Sequence, residues 1–162
     1  MTIRRITEML LADLDKQAVI SPRLRTHHNL HEGPEAAVQR LVVKLRGDTY
    51  IRPHRHRERW ELGICLQGRM DLVLFDERGA LTERVTLTPE RGTLALELPA
   101  RTWHSYVCVS DAATFLEVKE GPYDPATSSE FAAWAPAEGE PSAGQCLDWM
   151  RRALVGERYP GT

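Results

Sequence analysis

Between Val38 and Lys119 apolar residues recur at every second position. Leu41, Val43 and Leu45 alternate with Arg40, Val42 and Lys44. Met70, Leu72 and Leu74 follow Gly68, and Leu94, Leu96 and Leu98 lead into Pro99. A period of two marks strands with one face buried. Asp76-Glu77-Arg78-Gly79 reads as a hairpin turn, with Val85 and Leu87 on the returning strand. Phe115, Glu117 and Lys119 share a face of the last strand. Many short strands with regular turn signals predict an all-β fold, a single small antiparallel barrel or sandwich.

The period changes at both ends. Ile3, Ile6, Leu10 and Leu14 form a stripe at helical spacing, which predicts a helix from a Thr2 cap to about Lys16. Cys146, Trp149, Met150, Ala153 and Leu154 predict a second helix, capped by Ser142 and stopped near Gly156. Residues 18–35 read as irregular. Residues 121–141, rich in Pro, Ala, Ser and Glu, read as an ordered cover in which Tyr123, Phe131 and Trp134 are buried. The expected organisation is one domain: an N-terminal helix and lid over 1–35, a barrel over 36–120, and a cover with a helix over 121–162.

A chain of 162 residues is long enough for one sizeable core. The formal net charge of −2 gives no reason to expect nucleic-acid binding. No apolar run approaches the roughly 20 residues of a membrane span, and the charged N-terminus does not read as a secretory signal. Cytoplasm is the expected compartment. Cys65, Cys108 and Cys146 are an odd set without CxxC spacing and read as free thiols.

The chemistry is concentrated in two stretches, 53–61 and 99–104. Pro53 disfavours helix, so His54 and His56 project from one face of an extended segment. Glu61 joins them only if the chain turns at Arg57-Glu58-Arg59. His104 comes from a later strand. Three imidazoles and a carboxylate suit one divalent transition metal, among them Fe, Mn, Zn and Ni, and leave coordination positions open.

The same residues carry a resemblance. His54-x-His56, four residues, Glu61, six residues and Gly68 resemble the first motif of the cupin family; Gly92, Pro99 and His104 resemble the second. Arg101 stands where that motif has glycine, and Cys108 where it has asparagine. The resemblance implies a jelly-roll-like cupin barrel with His54, His56, Glu61 and His104 as metal ligands. Ser21-Pro22-Arg23-Leu24-Arg25, Asn29-Leu30-His31, Glu117–Pro125 and Phe131–Pro136 are similar to WbuC-type cupin-fold metalloproteins, some of which occur among surface-polysaccharide genes.

Further residues are candidates for handling a ligand. Arg23, Arg25, Asn29 and Arg52 are expected to bind an anionic or sugar-like small molecule through charge-assisted hydrogen bonds. Lys119, Tyr106 or His31 would move a proton. Glu117 and Lys119 are expected to pair inside the barrel, and Arg55 to point outside. The expected activity is of isomerase or epimerase type. An Fe(II)-dependent dioxygenase and a metal-dependent binding or sensing module without turnover are the alternatives. Amphipathic termini suggest a homodimer.

Overall fold

The alternating segment supplies eight strands of two antiparallel five-stranded sheets, and one short strand from each side of it completes them. The structure is a computed structural model and describes residues 3–161. One sheet has the order β1 (Arg25–Asn29), β2 (Val38–Arg46), β9 (Ala112–Glu120), β4 (Glu61–Gln67), β7 (Ala95–Leu98). The other has the order β10 (Glu130–Phe131), β3 (His54–Arg55), β8 (Trp103–Cys108), β5 (Met70–Phe75), β6 (Leu81–Leu87). Leu45, Cys65 and Phe115 of the first sheet meet Met70, Leu72, Tyr106 and Cys108 of the second in one buried core. The architecture is therefore a β-sandwich, and its sheets do not close into a barrel.

Each outer face is covered by a helix. α1 (Glu8–Ile20) buries Leu11 and Leu14 against Val42 of β2. Lys44, on the same face as Val42, is buried there, and Asp15 of α1 accepts its ammonium at 3.2 Å. α2 (Ala143–Arg152) lays Cys146, Leu147 and Met150 onto Val73, Phe75, Trp103 and Val107 of the second sheet. The three cysteines are free and buried.

Several local expectations change. The first helix starts later and runs further: Thr7 caps it, its hydroxyl accepting the Leu10 N–H at 3.2 Å. Thr2 lies outside the described residues, and Ile3 is exposed rather than part of a buried stripe. Within the segment read as irregular, β1 pairs with β2 along its whole length. Arg25-Thr26-His27-His28-Asn29 has no apolar alternation. Its pairing comes from main-chain groups that every residue carries. In the C-terminal cover, Trp134 packs on Phe75, but Tyr123 and Phe131 are exposed.

Candidate metal centre and its cavity

His54 in β3 stands directly opposite His104 in β8, their ring centroids 4.4 Å apart. His56 follows just beyond β3, its ring 5.2 Å from that of His54 and 5.6 Å from that of His104. One ring nitrogen from each imidazole lies within 4.8 Å of the others. The chain bends at Arg57 and Glu58, and Glu61 opens β4 on the other sheet.

Hydrogen bonds fix how the rings face. Nδ1 of His54 lies 2.9 Å from the Arg52 carbonyl, that of His56 2.5 Å from the Ser128 carbonyl, and that of His104 2.9 Å from the Thr102 carbonyl. A carbonyl only accepts, so each Nδ1 carries a proton and donates it. A neutral imidazole then keeps its lone pair on Nε2. Nε2 of His104 is buried without any partner. Glu61 Oε2 lies 2.9 Å from His56 Nε2 and 3.9 Å from His104 Nε2. Oε1 of Glu61 accepts the Tyr106 hydroxyl at 2.9 Å. Three oriented imidazole nitrogens, one of them orphaned, beside a carboxylate fit a divalent metal.

Burial and its two imidazole neighbours hold His54 well below the usual histidine range. Burial lowers His104 too, against the opposing charge of Glu61. Burial would raise Glu61, but a hydrogen bond from His56 in its doubly protonated form and the charges of His104 and Lys119 outweigh it, so Glu61 stays ionised. Tyr106 is pushed far up by burial and then by Glu61 and Glu117, which keeps it a neutral donor.

A cavity of about 270 Å³ opens onto this centre, with His54, Glu61, Tyr106, Glu117, Lys119 and Arg25 in its wall. Across β4 and β9, Glu61 faces Lys119 and Gly63 faces Glu117. A Cβ on Gly63 would lie 2.8 Å from the Tyr106 hydroxyl, so glycine makes room for that ring. Lys119 pairs with Glu117. Burial would lower Lys119, but the charges of Glu117 and Glu61 raise it and keep it an ammonium. Glu117 is raised by burial and by Glu61, against the pull of Lys119.

The residues singled out for ligand handling do not all meet here. Lys119, Tyr106, Arg23 and Arg25 line the cavity. Both arginines are held by Glu138, at 2.7 Å from Arg23 and 2.5 Å from Arg25. Asn29 and His31 line a neighbouring cavity instead. Arg52 donates to the Ala132 carbonyl at 2.9 Å and lies over the Phe131 ring. Arg55 points outward, stacked on Trp103 and paired with Glu130 and Glu77.

Arg101 adopts a left-handed backbone (φ 69°), and its N–H donates to the His56 carbonyl at 2.7 Å. The turn that glycine favours at this motif position is thus made by an arginine. Gly63, Ser128 and Glu138 were not legible as site residues. Gly63 sits within the β4 alternation, and its parity with Glu61 was the available signal. Ser128 contributes a carbonyl, which no residue type announces.

Residues 6–87 match the family model described as "Domain of unknown function (DUF6016)". No curated protein matches. Among solved structures, KdgF from Halomonas sp. is similar with a TM-score of 0.50 and 20% identity, over 65% of this chain and 85% of that one. The capsular polysaccharide assembling protein CapF from Staphylococcus aureus has a TM-score of 0.58 and 12% identity, over 69% of this chain. The chain spans only 30% of CapF. A cupin 2 conserved barrel domain protein from Rhodopseudomonas palustris has a TM-score of 0.51 and 16% identity, over 66% of each chain. At such identities the likeness shows the fold, which is that of the cupins. No helix among the described residues is long and apolar enough to cross a membrane.

Proposed function

For this chain, which belongs to the DUF6016 family of domains of unknown function, we propose a metal-dependent enzyme of isomerase or epimerase type acting on a small anionic or sugar-like substrate. One observation carries the reading. Three imidazoles give their Nδ1 protons to main-chain carbonyls and bring one ring nitrogen each within 4.8 Å of the others, and His54 with Glu61 stands in the wall of a cavity that also holds Lys119 and Arg25.

A divalent metal held by His54, His56, His104 and Glu61 would supply a Lewis acid that polarises substrate oxygens. The remaining roles belong to side chains. Arg25 orients the anionic group of the substrate, since a guanidinium matches a carboxylate in two contacts. Lys119, kept as an ammonium, donates a proton to the substrate, and Glu117 beside it receives one. Tyr106 stays a phenol and positions Glu61. His31 lies in the adjoining cavity and takes no part in this proton movement.

The similarity of residues 21–31 and 117–136 to WbuC-type metalloproteins supports a place in surface-polysaccharide precursor metabolism. So does the shared fold with CapF, a capsular polysaccharide assembling protein. The test is metal analysis of protein purified without an affinity tag, with mass spectrometry of co-purified small molecules. About one equivalent of zinc or manganese with an acidic sugar retained is the expected result. Iron with O₂ consumption would move the assignment to a dioxygenase. Protein that takes up no divalent metal would refute both.

A further inference from the structure

Beside the metal-centre cavity lies a second one of about 500 Å³. The two share His27, Leu41 and Lys119. β1 connects them. Its pairing sets His27 opposite Val43 and Asn29 opposite Leu41, and residues two apart on a strand share a face. The first cavity is lined by Arg25, Thr26 and His27 of β1, and the second by His27 and Asn29.

The walls differ in chemistry. The inner cavity carries the cations Arg23, Arg25 and Lys119. The outer one carries Asn29, His31, Gln39 and Tyr123, with Leu41 and Pro34 as apolar surface, balances the shared Lys119 with the carboxylate of Glu32, and has no arginine. His31 rests its Nδ1 on the main chain of Arg40, 3.0 Å from the nitrogen and 3.1 Å from the oxygen, so Nε2 is the ring atom left for a ligand. Burial, and then the charges of His31, Arg23 and Lys119, lower His27, which favours a neutral ring that can both donate and accept. Tyr123 is anchored through its main-chain N–H to the Pro34 carbonyl at 2.6 Å, yet the residue is 46% exposed. A half-exposed aromatic beside amide and imidazole groups suits a ring with one apolar face and a rim of hydroxyls.

We propose that the substrate has at least two rings: an acidic unit in the metal-centre cavity and a neutral, hydroxyl-bearing sugar ring in the outer cavity. Tyr123 stacks on the outer ring, Asn29 and His31 bond its hydroxyls, and Lys119, common to both cavities, meets the oxygen that links the two units. This rests on the reading of the inner cavity as an acid-binding metal site, and it makes Asn29, His31 and Tyr123 the residues that select for chain length.

Calorimetry on the metal-loaded protein tests it with two probes, glucuronate and a disaccharide of glucuronic acid joined to a neutral hexose. The disaccharide should bind about tenfold tighter or better. Asn29→Ala and Tyr123→Ala should abolish that advantage and leave glucuronate affinity unchanged. Both positions are exposed, so folding is not at stake. Equal affinities in the unaltered protein, exclusion of the disaccharide, or an advantage that survives both substitutions would overturn the proposal while the acid-binding reading stands. Failure of both probes to bind would overturn the acid-binding reading, and this one with it.

Discussion

His56 and Glu61 face each other nitrogen to oxygen at 2.9 Å, while the other nitrogen of His56 lies 2.5 Å from the Ser128 carbonyl. A neutral imidazole with its proton committed to that carbonyl turns a lone pair toward the carboxylate. Two acceptors at this distance repel. The contact is favourable only when His56 carries a second proton or when a cation sits between them. The buried, unpartnered Nε2 of His104 beside the same carboxylate favours the cation.

Metal should therefore stabilise the fold. At free metal about 100 times the dissociation constant the gain is about 2.7 kcal/mol, and each kcal/mol raises Tm by roughly 2–4 °C in a domain of this size. The His54→Ala/His104→Ala double variant should retain no metal and show no metal-dependent shift. Plasma mass spectrometry and thermal melts measure both; full metal content in the double variant sinks the assignment.

The metal-free protein should be acid-labile from the neutral side. His54 and His104 have folded pKa values below the ordinary histidine value of 6.5. As pH falls through 6.5 the unfolded chain takes up protons that the folded chain resists, so stability drops, by up to about 1.4 kcal/mol per pH unit for each ring. Above pH 7 these rings contribute no slope. His104→Gln should flatten the dependence of Tm between pH 7 and 5 in metal-free protein. An unchanged slope would show that His104 takes up protons equally in both states.

Gly63 and Tyr106 should be energetically coupled. Gly63→Ala drives a methyl against the Tyr106 hydroxyl and should cost about 1–3 kcal/mol. Tyr106→Phe removes the colliding oxygen but leaves Glu61 Oε1 without its donor. The double variant should lose less than the two losses added, with a coupling of about 0.5–3 kcal/mol. Denaturant melts of the four proteins give this number, and strict additivity would contradict the contact.

Arg25 and Glu138 should act on anion binding with opposite signs. The Glu138 carboxylate now holds the guanidinium that a ligand would use. Arg25→Ala should weaken glucuronate or citrate by about tenfold and leave metal content intact. Glu138→Gln should strengthen it. Calorimetry that finds glucose bound as well as glucuronate, or both variants unchanged, would show that these charges serve only the structure.

We also propose a homodimer. Ile3, Met9, Ile20, Leu154 and Val155 are large apolar residues left exposed near the two termini, and such surface is commonly covered by a second copy. Light scattering at micromolar concentration should give twice the 18.4 kDa chain mass. A monomer mass there would count against it.

What the sequence determined by itself follows from periodicity, which is a local property. The alternation from Leu41 to Lys119 is enough to predict strands, Asp76–Gly79 a hairpin, and the stripe after Ser142 a helix. All three form. Pro53 with His54-x-His56 is enough to predict imidazoles on an extended segment, and the cupin-like spacing brings in His104, whose ring nitrogen converges with theirs. Tertiary structure alone decided the rest, because those contacts use groups that the residue type does not reveal. The Ser128 carbonyl orients His56 across 72 positions of chain. β1 is polar throughout and exists because the main chain of β2 offers it partners. Glu138 claims Arg23 and Arg25, which parity alone assigns to a ligand. His31 and Arg52 were legible as polar candidates, yet only packing settled that one lines the outer cavity and the other lies against Phe131. A side chain's face can be read along its own strand, but its partners are set by which strands the fold brings alongside.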